Sequence, residues 1–399
     1  DASGCFVLPG FVQGHVHLCQ TLMRGAAEEA DLLRWLRERI WPLEAAHTEA
    51  SIAASARLGL VELIAGGVTT VNDMGTVRHT ASIGEVLAES GIRAVFGKAL
   101  MDREDRLPPA LRESPRAALD QALELVRHFH GSAAGRLGVS LAPRFILSCT
   151  TPLWRDVRDA AHQHGLLVHT HLAESADEGR EVEAVVGASA ANYFATEDLL
   201  GPGFVGAHGV WLDPAELGML ARAGASLIHC PGSNIKLGSG LARVRSWKRA
   251  GVRCGLGSDG AACNNRLDTF YEMSLAAGIS RVVDGEGALD AREVLELATR
   301  GGAQALGLEG VTGSLEPGRQ ADVILVDVET SHAAPRPEGD AYATLVQAVR
   351  AGDVRMTMVA GRVLYEGGAW TTLDPQRVRA EARAEALGLA RRAEAGVTR

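Results

Sequence analysis

The chain predicts an α/β protein: a closed (β/α)8 TIM barrel carrying a small, incomplete β-domain made from the C-terminal segment. Three observations predict it. Eight short β-branched or apolar runs alternate with longer amphipathic segments, and eight is the count a closed parallel barrel needs. Histidines and carboxylates fall at the C-terminal ends of several of those runs, where such barrels build their sites. A chain of 399 residues with 46% hydrophobic content can bury one large core and support an appendage.

Strands are predicted near Phe6–Val12, Val68–Asn72, Arg93–Leu100, Gly138–Ala142, Leu166–His171, Phe204–Ala207, Ser226–His229 and Val252–Gly257. Amphipathic spacing predicts helices over Glu49–Ala65, Thr80–Ser90, Pro115–His130, Leu153–His164, Glu178–Val186, Pro214–Ala223 and Ala291–Leu306. The barrel is assigned to residues 1–310. Beyond it, glycine-turned runs around 313–326 and 357–365 predict a small β-domain over 311–370. An Ala/Arg/Glu-rich helix at Pro375–Ala395 fills the last segment, 371–399, and the proline-containing piece Ala334–Glu338 is an exposed loop.

Composition narrows the function. A formal charge of −9 argues against a nucleic-acid-binding surface, and no apolar run reaches membrane-spanning length. No basic-then-apolar leader opens the chain. The six cysteines form no Cys-x-x-Cys pair and suit reduced, mostly buried thiols of a cytoplasmic protein.

His15-Val16-His17 carries the most chemistry. Residues two apart on a strand share a face, so both imidazoles can close on one ion. Alone, such a pair is a weak signal. His169-Thr170-His171 with Glu174, Ala207-His208-Gly209 and Ser258-Asp259-Gly260 strengthen it. His15, His17, His171 and Asp259 would hold one Zn2+, with Fe2+ as the alternative, and leave a position open for water. The metal would lower the pKa of that water from ~15.7 toward ~7. Glu174 would shuttle the proton to a ring nitrogen and then to a leaving amine. Asp259 would take the water's proton, and His208 would hold the hydroxide or the developing oxyanion by hydrogen bonding.

Plainer readings stand beside these. His169 is in phase with His171 but is read as a packing residue or a support behind the ligands. His229 either lines the pocket or is a satisfied core histidine. Glu174 could be an acid favoured at a helix start. His47, His79, His128, His130, His162 and His164 are read as surface residues. Cys19 and Cys263 adjoin the site loops without an evident base.

The chain resembles the amidohydrolase superfamily, in particular the group of S-adenosylhomocysteine/methylthioadenosine deaminases, guanine deaminases and triazine hydrolases. The stretch from Leu8 to His17 is similar to the family's opening metal motif, and His171-Leu-Ala-Glu174 to its H-x-x-E. His229 to Leu237 resembles the H-x-P-x-S-N stretch, and Gly255 to Asn265 the segment bearing the last metal ligand. The resemblance implies a zinc-dependent deaminase acting on an aminated, purine-like heterocycle and releasing ammonia, or a triazine chlorohydrolase or aminohydrolase. A catalytically silent barrel is the remaining reading. Ala142-Pro143-Arg144 stands where binuclear relatives carry a bridging lysine, which implies a single metal.

Substrate contacts also rest on the resemblance. Glu44 looks like the ribose-binding glutamate of adenosylhomocysteine deaminases. Arg144, Gln20 and the 97–102 segment look instead like guanine deaminase, and arginine's fork of donors suits a ring carbonyl. Arg144 and Glu44 could alternatively pair with each other. A small heterocyclic substrate is the expected partner, with a homo-oligomer as a family-based expectation. Relatives carry further strands before the Leu-Pro-Gly-Phe motif. Their absence here predicts unpaired edges at Val323–Val326 or Val359–Leu364, which would invite association.

Overall fold

Gly10 divides the first apolar run in two. A Cβ there would meet the Thr69 side chain at 2.1 Å, so the close approach requires glycine. The computed structural model describes residues 1–26, 31–103, 107–335 and 340–397. Ahead of the break, β1 (Cys5–Pro9) leaves the barrel; after it, β2 (Phe11–His17) enters. The single strand expected over Phe6–Val12 is therefore two. The second runs far enough to carry both histidines of the metal motif.

The barrel continues through β3 (Val68–Met74), β4 (Arg93–Gly97), β5 (Leu137–Val139) and β6 (Val168–Leu172). It is completed by β7 (Phe204–His208), β8 (Ser226–His229) and β9 (Arg253–Leu256). These strands are parallel neighbours in the order β5-β4-β3-β2-β9-β8-β7-β6. Leu141 closes the ring: its N–H donates to the Leu167 carbonyl and its own carbonyl accepts from the His169 N–H, each at 2.9 Å. Two expected strands are shorter than the sequence suggests, because Ala99–Leu100 and Ala142–Pro143 pair separately with each other beyond β4 and β5.

Side-chain caps fix where several helices start. Thr48, Ser175, Asp213 and Asp290 each close a capping box, and left-handed Gly165, Gly187 and Gly224 end the helices before them. The periodic pattern misses the helix Thr269–Asp284, whose Phe270 ring meets Phe11 edge-on at 5.0 Å. It also reads as one helix a segment that widens to a π-turn over Leu297–Gly301. A Cβ at Gly301 would lie 2.2 Å from the Cys254 carbonyl oxygen of β9.

The small sheet corrects the expectation of unpaired edges. β1 pairs antiparallel with β10 (Val323–Asp327), followed by β11 (Val354–Val359), β12 (Arg362–Glu366) and the short Ala369–Trp370. The Val323–Val326 run therefore lies between two neighbours, as does the strand at 362–366. Residues 336–339 of the proline-containing loop lie outside the described residues. The terminal helix Pro375–Val397 packs on Glu49–Ala65, and Arg392 donates to the Ala46 carbonyl at 2.8 Å.

One buried ion pair ties the sheet to the barrel. Arg93 of β4 donates through Nε and a terminal nitrogen to Asp322 at 2.9 and 3.1 Å, and to Gln320 at 2.6 Å. Asp322 also accepts from the Ala360 N–H at 2.7 Å. Both charged side chains are buried, so removing one leaves the other uncompensated. Asp322→Ala is expected to lower unfolding free energy by about 3–5 kcal/mol, measured by urea denaturation. A loss below about 1 kcal/mol, the worth of an exposed pair, would contradict this role.

Candidate metal centre

His15 and His17 lie on buried β2 with their rings on one face, centroids 4.8 Å apart. His171 comes from β6, and Asp259 follows β9, paired with Val16 of β2. Three segments distant in sequence thus bring four donor atoms together, all within 4.8 Å of one another. His15 Nε2 is 3.2 Å and His17 Nε2 3.4 Å from Asp259 Oδ1.

Backbone carbonyls fix what these rings present. His17 Nδ1 lies 2.7 Å from the Met74 oxygen, and His171 Nδ1 2.8 Å from the Arg144 oxygen. A carbonyl only accepts, so both Nδ1 atoms carry the proton and both Nε2 atoms present lone pairs. Those two lone pairs face each other at 3.2 Å. Neither can donate to the other. A shared cation satisfies them, and the three-imidazole, one-carboxylate donor set suits a borderline-soft divalent ion such as zinc.

Electrostatics agree with that fit. Burial pushes the His17 pKa down to about 3, with the neighbouring His15 adding to it, and burial likewise holds His15 and His171 well down. Neutral imidazole is the metal-binding form. Burial opposes ionisation of Asp259, but the hydrogen bond and charge of His15 outweigh it and keep the carboxyl well below its usual range. Burial, then the charges of Asp259 and Glu178, pushes the Glu174 carboxyl well above its usual range.

Three left-handed residues aim the site: Ala173 just before Glu174, His208, and Asp259 (φ 48°, 78° and 59°). Non-glycine residues held there cost about 1–3 kcal/mol each and persist only where their surroundings fix them. Here Asp259 Oδ1 accepts from the Gly260 N–H at 2.8 Å, and Oδ2 from the Ser233 hydroxyl at 2.7 Å. His208 Nε2 stands 3.5 Å from Glu174 Oε2 and 3.9 Å from Asp259 Oδ2. With its Nδ1–H donated to Asn234 Oδ1 at 2.9 Å, His208 turns Nε2 toward Glu174 and Asp259. It can donate to an oxyanion only once protonated.

A cavity beside the cluster is lined by Leu32, Trp35, Leu36, Phe145 and Leu237, with Gln20, Arg144 and Glu174 as polar members. Arg144 and Glu44 point at each other, at 2.6 and 3.2 Å, and Gln20 Nε2 donates to Glu44 at 3.0 Å. Burial opposes both charges, yet each holds the other ionised. Arg144 and Gln20 reach the cavity wall, while Glu44 stands behind them.

The remaining histidines sort as follows. His169 Nε2 contacts His15 Nδ1 at 2.8 Å, supporting the first imidazole from behind. His229 is buried beside Trp247, outside the donor cluster. His47, expected at the surface, is buried between the Cys19 carbonyl at 3.0 Å and Ser51 at 2.9 Å. Its place on a helix edge concealed the fold of the 19–23 turn over it. The sequence reading places Ser233 and Asn234 in the H-x-P-x-S-N stretch without giving them a role, and passes over Glu272. Glu272 accepts from the Gly232 N–H at 2.9 Å and the Asn264 amide at 2.8 Å, fixing the segment behind Asp259.

The amidohydrolase family pattern matches residues 6–364. The chain belongs to the amidohydrolase family. A family member from Natronomonas pharaonis, named 5-methylthioadenosine/S-adenosylhomocysteine deaminase, is 38% identical over 99% of this chain and 89% of its own length. A 5'-deoxyadenosine deaminase from Methanothermobacter thermautotrophicus is 34% identical, covering 98% of this chain and 88% of its own. The crystal structure of an adenosine deaminase from Xanthomonas campestris with bound zinc superposes with a TM-score of 0.91 at 30% identity, over 97% of this chain and 86% of that one. The fold and the deaminase-type hydrolase chemistry follow. No helix among the described residues is long and apolar enough to cross a membrane.

Burial pushes Glu272 up to about 8 against its two opposing hydrogen bonds. A raised carboxyl pKa means that the folded state holds the proton more tightly than the unfolded chain does. Its stabilising contribution is full below the unfolded value, about 4.3, and is lost as pH rises through about 8. Glu272→Gln is expected to flatten the fall in denaturation midpoint between these limits. Parallel profiles for the variant and the wild type would contradict the shift.

Proposed function

We propose that this chain is a mononuclear zinc deaminase that replaces the exocyclic amine of an adenosine-type nucleoside with oxygen and releases ammonia. The observation that carries this reading is the pair of facing Nε2 lone pairs of His17 and His171, joined by His15 and Asp259, beside the buried carboxyl of Glu174. Bound by these four residues, zinc would supply a water acidic enough to act as nucleophile at neutral pH. Asp259, whose carboxylate stands within the donor cluster, receives the water's proton. Glu174 gives its own proton to the ring nitrogen, takes up the proton left on the added oxygen and passes it to the leaving amine, and the proton held by Asp259 then restores Glu174. The water oxygen bonds to the amine-bearing carbon, the C–N bond breaks and ammonia departs.

The substrate assignment draws on the deaminase relatives and on the cavity. Apolar Leu36, Phe145 and Leu237 suit the faces of a flat ring. The Arg144–Glu44 pair carries no net charge, which suits an uncharged nucleoside. Gln20 Oε1 is buried without a partner and offers an acceptor to a substrate N–H or O–H.

The purified chain is expected to hold about one zinc and to release ammonia from 5'-deoxyadenosine or methylthioadenosine in preference to guanine or aminotriazines. Metal-free protein that stays folded and fully active would end the proposal. Glu174→Gln is expected to keep the metal but lose at least ~10²-fold in kcat, the worth of a positioned acid/base group. Unchanged turnover would remove Glu174 from the reaction.

A further inference from the structure

The short helix Pro231–Lys236 follows β8 and passes beneath the two strained site residues His208 and Asp259. Two consecutive side chains reach up from it, both buried. The Ser233 hydroxyl donates to Asp259 Oδ2 at 2.7 Å, on the opposite side of the carboxylate from the oxygen that faces His15 and His17. Asn234 Oδ1 accepts from His208 Nδ1 at 2.9 Å. The helix is itself pinned, since Glu272 accepts the Gly232 N–H and a Cβ at Gly232 would lie 2.5 Å from the Glu272 carboxylate.

We propose that Ser233 and Asn234 are paired positioning residues, set by one helix, that orient Asp259 and His208 for the reaction. This rests on the deaminase reading of the site. Ser233 occupies Oδ2, so the carboxylate cannot rotate and Oδ1 stays directed at the imidazoles. Asn234 selects the ring form of His208 whose Nε2 lone pair faces Glu174. Were the amide turned the other way, its N–H would meet Nδ1 and Nε2 would carry the proton instead. The two orientations give opposite roles to His208, and substitution distinguishes them.

The experiment compares Ser233→Ala, Ser233→Thr, Asn234→Leu and Asn234→Asp by thermal melting, by zinc affinity in chelator competition, and by kcat and KM for 5'-deoxyadenosine. Ser233→Ala is expected to weaken zinc retention at least ~10-fold, the usual worth of a residue supporting a metal ligand, and Ser233→Thr to restore it. Asn234→Leu is expected to lower kcat at least ~10-fold with KM and zinc affinity unchanged. Asn234→Asp, which keeps the acceptor oxygen, is expected to recover most of that loss.

Asn234→Asp as impaired as Asn234→Leu, with melting unchanged, would overturn the acceptor assignment. Folded Ser233→Ala with unaltered zinc affinity and kcat would overturn the role of Ser233. Wild-type chain that binds no divalent metal would overturn this inference and the proposed function together; zinc-loaded, active wild type with indifferent variants would overturn this inference alone.

Discussion

The site depends on two backbone carbonyls. Met74 at the end of β3 and Arg144 just after Pro143 each take the Nδ1 proton of an imidazole, and the two rings are thereby left with lone pairs aimed at one point. A buried interior does not tolerate facing acceptors without a positive centre between them. The barrel makes this arrangement rigid: both rings and Met74 lie on its strands, and the Arg144 carbonyl is tied to β6 by the His171 N–H at 3.0 Å. The third imidazole and the carboxylate then complete a donor set whose geometry is fixed before anything binds.

Around that centre the structure spends its strain and its buried polar groups. Left-handed Ala173, His208 and Asp259 swing Glu174, an imidazole and a carboxylate inward from three different strand ends. Each is held by a partner from elsewhere: Glu178 at the Glu174 backbone, Asn234 at His208, Ser233 at Asp259. Burial raises both carboxyls, and their neighbours then separate them: acidic Asp259 and Glu178 push Glu174 further up, whereas the imidazoles around Asp259 bring it well below its usual range. Two carboxyls lining one cavity thus have their pKa values driven apart by their neighbours.

Much of this was legible in the residue pattern. The alternation of apolar runs with capped amphipathic segments marks the barrel, because strand and helix periods are local properties. The donors were legible for the same reason, being histidines and an aspartate just past such runs. Other features arise from tertiary contact and leave little local trace. Gly10 splits a run that looks continuous, and the cause is the Thr69 side chain across the sheet. Pairing of β1 with β10 joins residues more than three hundred apart, so the edges that seemed bare are covered. His47 is buried by the turn after β2, and nothing in its own helix-edge pattern says so. For Arg144 and Glu44 the sequence left substrate contact and mutual pairing both open, and the fold turns them toward each other.

Zinc K-edge X-ray absorption on the metal-loaded chain tests the account most directly. It predicts three imidazole nitrogens and carboxylate or water oxygen at roughly 2.0–2.2 Å with no sulfur, and loss of one imidazole shell in His171→Ala. Sulfur in the coordination sphere, or an unchanged spectrum in that variant, would place the metal elsewhere and contradict it.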